Sequence, residues 1–146
     1  MKWLAIGVLA AANLTLTISA EAQERFTLKL GHIYPDSHFT GQSAREFAEL
    51  VKEKTQGRLV IQVFPNSQLG SEREMVESAS LGTLDATAPG ATILGEFQRE
   101  YFFVGAPFVW KDQDEVRRIM HGPIGKEWAK KLESSTGLTV IGYWDR

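Results

Sequence analysis

The chain has 146 residues, 43% of them hydrophobic, with a formal net charge of -2 and no cysteine. That length and apolar share fit one globular domain with a real core rather than a disordered or fibrous polymer. The lack of basic excess removes the electrostatic footprint of a nucleic-acid binder. The lack of cysteine excludes disulfides, thiolate zinc clusters and haem attached through cysteine.

Residues 1–22, MKWLAIGVLAAANLTLTISAEA, combine Lys2, an apolar run from Trp3 to Ile18, and Ala20 and Ala22 on either side of Glu21. This pattern predicts a secretory signal peptide cleaved after Ala22. The competing reading, a membrane anchor, needs ~20 apolar residues, and this run is shorter and diluted by Asn13, Thr15 and Thr17. Residues 23–146 are then an exported domain, most simply periplasmic, with no direct membrane insertion after cleavage.

Residues 26–30, FTLKL, alternate apolar and polar as a half-buried strand does, and Gly31 closes them. Ala44, Phe47, Ala48 and Val51 then recur at helical spacing, predicting a helix over 41–56 stopped by Gly57. Residues 58–64, RLVIQVF, read as a second strand ended by Pro65 and Asn66. Ser71 and Glu74 form an S-x-x-E capping box for a helix over 72–81, stopped by Gly82.

Residues 83–90, TLDATAPG, read as a short central strand ended by Pro89 and Gly90. The aromatic stretch that follows predicts a strand near 102–104 and a buried loop, with Tyr101, Phe102, Phe103, Phe108 and Trp110 packed as core or against a neighbouring lobe. Asp112 and Glu115 start another helix, and Pro123 suits the first turn of one more, ended by Gly137. Residues 138–144 read as a last strand.

Strands alternating with helices predict an α/β fold: a largely parallel sheet flanked by helices, with ligands beyond the carboxyl ends of the strands. Those ends are residues 31–34, 65–67 and 89–91. His32, Asp36 and His38 lie close together in the first of them, and imidazole plus carboxylate could ligate zinc or iron. A small periplasmic metal-dependent hydrolase is therefore one reading. Against it, no nucleophile elbow, P-loop or G-x-G-x-x-G is present. Glu72, at a helix start on the strand-end side, could meet a ligand or simply favour the positive helix end.

The stretches VFPNSQLGSEREMVESASLGTLDATAPGA and FVGAPFVW, with the loop after the first strand, resemble the dicarboxylate-binding solute receptors of tripartite ATP-independent periplasmic (TRAP) transporters. The resemblance runs over residues 25–146 and implies one lobe of a two-lobe periplasmic-binding-protein-like fold. It implies a receptor, not an enzyme and without cofactor, that hands a small organic acid to a sodium-coupled TRAP membrane permease. Mapped by this resemblance, the first-lobe ligand contacts are Ile33, Gly90 and Glu72, with His32, Tyr34 and Pro89 on the same edges.

Receptors for sialic acid resemble this pattern but are polar where Ile33 and Gly90 stand, which leaves C4-dicarboxylates, 2-oxo acids or sugar acids. The ligand carboxylate is met in such proteins by an arginine of the second lobe, a role not given to Arg146. On this pattern residues 23–146 are the first lobe, truncated at the hinge to the second, and such a lobe alone is expected to bind little or nothing, and to expose inter-lobe aromatics and an unfinished sheet edge.

Overall fold

The computed structural model describes residues 24–144, so the predicted signal peptide and Arg146 lie outside it. A three-stranded parallel sheet forms from β1 (Phe26–Gly31), β2 (Leu59–Phe64) and β3 (Ala86–Thr87) in the order β2-β1-β3. β1 is central, running in register with β2 from Phe26 opposite Leu59 to Gly31 opposite Phe64, and meeting β3 at Leu30 and Gly31. α1 (Phe39–Lys54) links β1 to β2, and α2 (Glu72–Ser80) links β2 to β3. The two crossovers run in opposite directions across the sheet, so their shared right-handedness sets α1 and α2 on opposite faces.

Burial follows the apolar stripes of these helices. Ala44 and Ala48 of α1, Met75 and Val76 of α2, and Leu30 of β1 are buried. Small alanines on α1 let that helix approach the sheet closely. Met75 lies so near β1 that a Cβ at Gly31 would stand 2.6 Å from its sulfur.

The predicted capping box is present: the Ser71 hydroxyl accepts from the Glu74 amide at 3.3 Å, and the Glu74 carboxylate accepts from the Ser71 amide at 2.7 Å. Ser71→Ala leaves an amide of the first turn without this partner and is expected to cost about 1 kcal/mol, read as a lowered urea midpoint. Ser71→Asp, which keeps an acceptor, is expected to recover most of it.

The second half departs from the predicted strands. Residues 91–105 form α3 (Ala91–Phe97) and a 3-10 segment, Arg99–Gly105, in place of a strand near 102–104. Tyr101 is drawn into the core while its neighbour Phe102 covers Gly95, where an added Cβ would stand 2.6 Å from the ring. Adjacent side chains that both turn back onto the same short segment suit a tight helix, not the alternating faces of a strand.

α4 (Gln113–His121) and α5 (Pro123–Thr136) follow as predicted, capped by Asp112 and ended by Gly137 in the left-handed conformation at φ 76°. Residues 138–144 are irregular rather than a strand, yet Val140 and Tyr143 pack onto the cluster of Tyr101, Met120 and Leu132. The predicted central strand over 83–90 shrinks to its two residues that reach β1. Of the aromatic block, Tyr101 is core, but Phe102, Phe103 and Phe108 are exposed.

Candidate functional site

With β1 central and its neighbours reached by opposite crossovers, the loops after β1 and β3 leave the carboxyl end of the sheet side by side, the place where parallel α/β units take ligands. Three predicted residues meet there. Glu72, the first residue of α2, accepts a hydrogen bond from the Gly90 amide at 2.6 Å. A Cβ on Gly90 would lie 3.5 Å from that carboxylate oxygen and 3.7 Å from the Tyr34 hydroxyl, so Tyr34, Glu72 and Gly90 share one half-buried lip.

Arg73, next along α2, turns from Glu72 to pair with Glu77 and Glu96 and to lie over the Phe97 ring. Ile33 and Pro89 occupy the same two loops and are half-buried.

The turn after β2 completes the edge. The Asn66 amide donates to the Tyr34 carbonyl at 3.1 Å, and the Ser67 amide to the His32 carbonyl at 3.2 Å. Both residues hold positive φ, 54° and 58°, and both are exposed. Non-glycine residues in the left-handed region are strained, and here the two hydrogen bonds to the first loop hold them. The sequence marks residues 65–67 as a turn at a ligand-side strand end, but two consecutive left-handed residues there carry no signal of their own.

His32 does not line the lip: it is fully buried, and neither ring nitrogen makes a well-formed hydrogen bond among the described residues. Burial pushes its pKa below the ordinary value of 6.5, against smaller opposing pulls from the Tyr34 backbone and Asp36. The folded chain thus keeps His32 neutral where the unfolded chain takes up a proton. Its contribution is whole above the unfolded pKa and is lost as pH falls from about 6.5. The urea midpoint is expected to drop between about pH 7 and pH 5, with a smaller drop in His32→Leu.

The other two members of the possible metal triad are occupied. Asp36 accepts two hydrogen bonds from Arg45, at 2.8 and 2.6 Å, and this guanidinium holds its carboxyl below the usual range. His38 Nδ1 accepts from the Thr40 amide at 3.2 Å. No group of three or more residues suited to hold a metal occurs among the described residues, which removes the support for the hydrolase reading.

Surface hollows lie elsewhere, along α5 beside Gln98 and Lys131, and at the end of α1 beside Lys52 and Gln56. Both are open, and neither is lined by a residue of the strand-end loops. Among the described residues, no helix is long and apolar enough to cross a membrane.

Residues 30–146 match the family described as bacterial extracellular solute-binding protein, family 7 (DctP). The chain is 32% identical over 136 residues to the C4-dicarboxylate-binding periplasmic protein DctP of Rhodobacter capsulatus, covering 92% of this chain and 40% of the relative. Among solved structures, a TRAP periplasmic solute-binding protein of Polaromonas sp. JS666 bound to D-erythronate is 38% identical with a TM-score of 0.69, covering 75% of this chain and 36% of that one.

Another, from Xanthobacter autotrophicus Py2 with bound β-D-galacturonate, is 28% identical with a TM-score of 0.73, covering 80% of this chain and 39% of that one. The chain spans 25–40% of the length of the curated relatives it matches. Over the residues it shares with them, the chain belongs to family 7 of the bacterial extracellular solute-binding proteins, the DctP family.

Proposed function

We propose that this chain supplies the first wall of a periplasmic receptor for a hydroxylated monocarboxylic acid, a sugar acid, which the receptor delivers to a TRAP membrane permease. It acts by binding and not by catalysis. The observation that carries the ligand class is the Glu72 carboxylate at the lip, tied to Gly90 and facing away from the neighbouring cation Arg73. A carboxylate accepts hydrogen bonds from ligand hydroxyls but repels a second ligand carboxylate at short range.

The D-erythronate and galacturonate held by the two structural relatives are hydroxylated acids of this kind. The single ligand carboxylate is then left to a cation outside this lip, and a guanidinium fork suits it. Tyr34 adds an aromatic body with a hydroxyl that can donate or accept, the kind of group that grips a polyol chain. The second reading, a C4-dicarboxylate, is favoured by the Rhodobacter relative named for that ligand.

Half a cleft does not enclose its ligand, so binding by this chain alone is expected in the millimolar range. Ligand-observed NMR with D-erythronate, galacturonate and succinate tests the reading. Saturation transfer to both sugar acids and none to succinate is expected. Preference for succinate would overturn the ligand class, and micromolar binding would overturn the half-cleft.

A further inference from the structure

We propose that His38 is a positioning residue: its ring, neutral, caps α1 while stacked on Tyr34 of the lip, and its protonation removes that cap. The cap is unusual chemically. His38 precedes α1 in extended conformation (φ -78°, ψ 147°), and its Nδ1 accepts the Thr40 amide at 3.2 Å. Serine, threonine and asparagine caps stay acceptors at every physiological pH, whereas a protonated imidazole carries N–H on both nitrogens and accepts nothing. One proton therefore removes the cap and sets a cation against the positive end of a 16-residue helix.

The same ring touches the lip. It stacks on Tyr34 at 4.5 Å between centroids and 13° between planes, and it meets Phe39 at 4.5 Å. The loop cannot slide independently of the helix, because a Cβ at Gly41 of α1 would collide with the Pro35 carbonyl. The His38 amide also donates to that carbonyl, at 2.9 Å. A change in the first turn of α1 is thus passed to residues 34–38.

Four charged or titratable groups surround His38. Asp36 and Arg45 are paired with each other at 2.6 Å, His32 is buried, which favours its neutral form, and the Tyr34 hydroxyl lies on the Gly90 side. The Tyr34 and Phe39 rings already lie against His38 and attract an imidazolium, so protonation removes the backbone cap while the ring contact stays, which gives the first turn of α1 a capped and an uncapped state. Their bearing on the ligand rests on the reading of Tyr34 as part of the binding lip; the transition itself does not.

The test is a ligand-free proton–nitrogen NMR titration of the chain from about pH 8 to about pH 5. The Thr40 and Tyr34 amides are expected to move with one midpoint, shared with the His38 ring protons. His38→Asn, a cap that does not titrate, is expected to abolish both movements, and His38→Ser to do the same. A Thr40 amide that stays fixed while His38 titrates would overturn the proposal. So would a Tyr34 movement that survives in both variants, which would assign it to His32. With no ligand in the tube, either failure falls on the switch and leaves the ligand assignment to its own experiment.

Discussion

Tyr101→Ala is expected to lower the stability of the chain by about 3–5 kcal/mol, the range for emptying a large aromatic site in a core. Tyr101 is 1% exposed and gathers the second half of the chain: Met120 of α4, Leu132 of α5, and Trp128 edge-on at 6.0 Å. Whole domains are stable by about 5–15 kcal/mol, so this one truncation consumes a large part of the total.

Tyr101→Phe separates packing from hydrogen bonding, because it removes only the hydroxyl that lies 3.3 Å from the Tyr143 hydroxyl. Burial raises the Tyr101 pKa well above its ordinary value of 10.0, so the hydroxyl stays protonated through any working pH. Its loss is expected to cost about 1 kcal/mol. Urea unfolding followed by tryptophan fluorescence reads both variants. Equal losses in the two would mean that the hydroxyl pair, and not the ring, organises this cluster.

The second large effect is expected at Glu72. Glu72→Ala removes the acceptor for the Gly90 amide and the candidate acceptor for ligand hydroxyls together. A hydrogen bond to a charged group contributes about 1.5–3 kcal/mol, which corresponds to a loss of about 10- to 100-fold in sugar-acid affinity. Glu72→Gln keeps a carbonyl oxygen that can still accept from Gly90 but removes the charge. It is expected to retain part of the sugar-acid binding and to admit succinate. If Glu72→Gln rejects succinate as the parent does, charge at this lip is not what selects the ligand.

The parts of the fold that announce themselves locally were the legible ones. Ser71 with Glu74, Asp112 with Glu115, Pro123 and Gly137 each carry their own capping or stopping chemistry, and each element bound there stands where it was expected. α1 begins at Phe39, ahead of the expected residue 41, because its cap is His38, a residue type that rarely serves and so gave no signal.

Residues 102–104 and 138–144 looked like strands because aromatic and β-branched side chains favour a pleated surface. A strand also needs an unpaired edge in reach, and composition cannot report one. Here Tyr101, Val140 and Tyr143 instead close a helical cluster. Phe108 holds a positive φ of 63° with its side chain fully exposed, a conformation no apolar pattern announces.

The candidate site was legible to the same degree and for the same reason. Strand ends in a parallel α/β unit are fixed by topology, so the regions of Tyr34, Glu72 and Gly90 could be named, and these three do converge. Depth could not be named: His32 is two residues from Tyr34 in sequence yet lies wholly beneath the loop. The spacing of His32, Asp36 and His38 suggested a metal, but each has a local structural role that spacing alone does not reveal. Asp36 binds Arg45, His38 caps α1, and His32 is sealed in the interior.

The most direct measurement of where ligand binds is the proton–nitrogen spectrum of the chain titrated with D-erythronate at fixed pH. The Gly90 and Tyr34 amides are expected to shift in step and to saturate in the millimolar range, while the Lys52 and Lys131 amides stay still. Fixed Gly90 and Tyr34 amides, with shifts gathered instead along α5 or at the end of α1, would contradict the assignment of the lip.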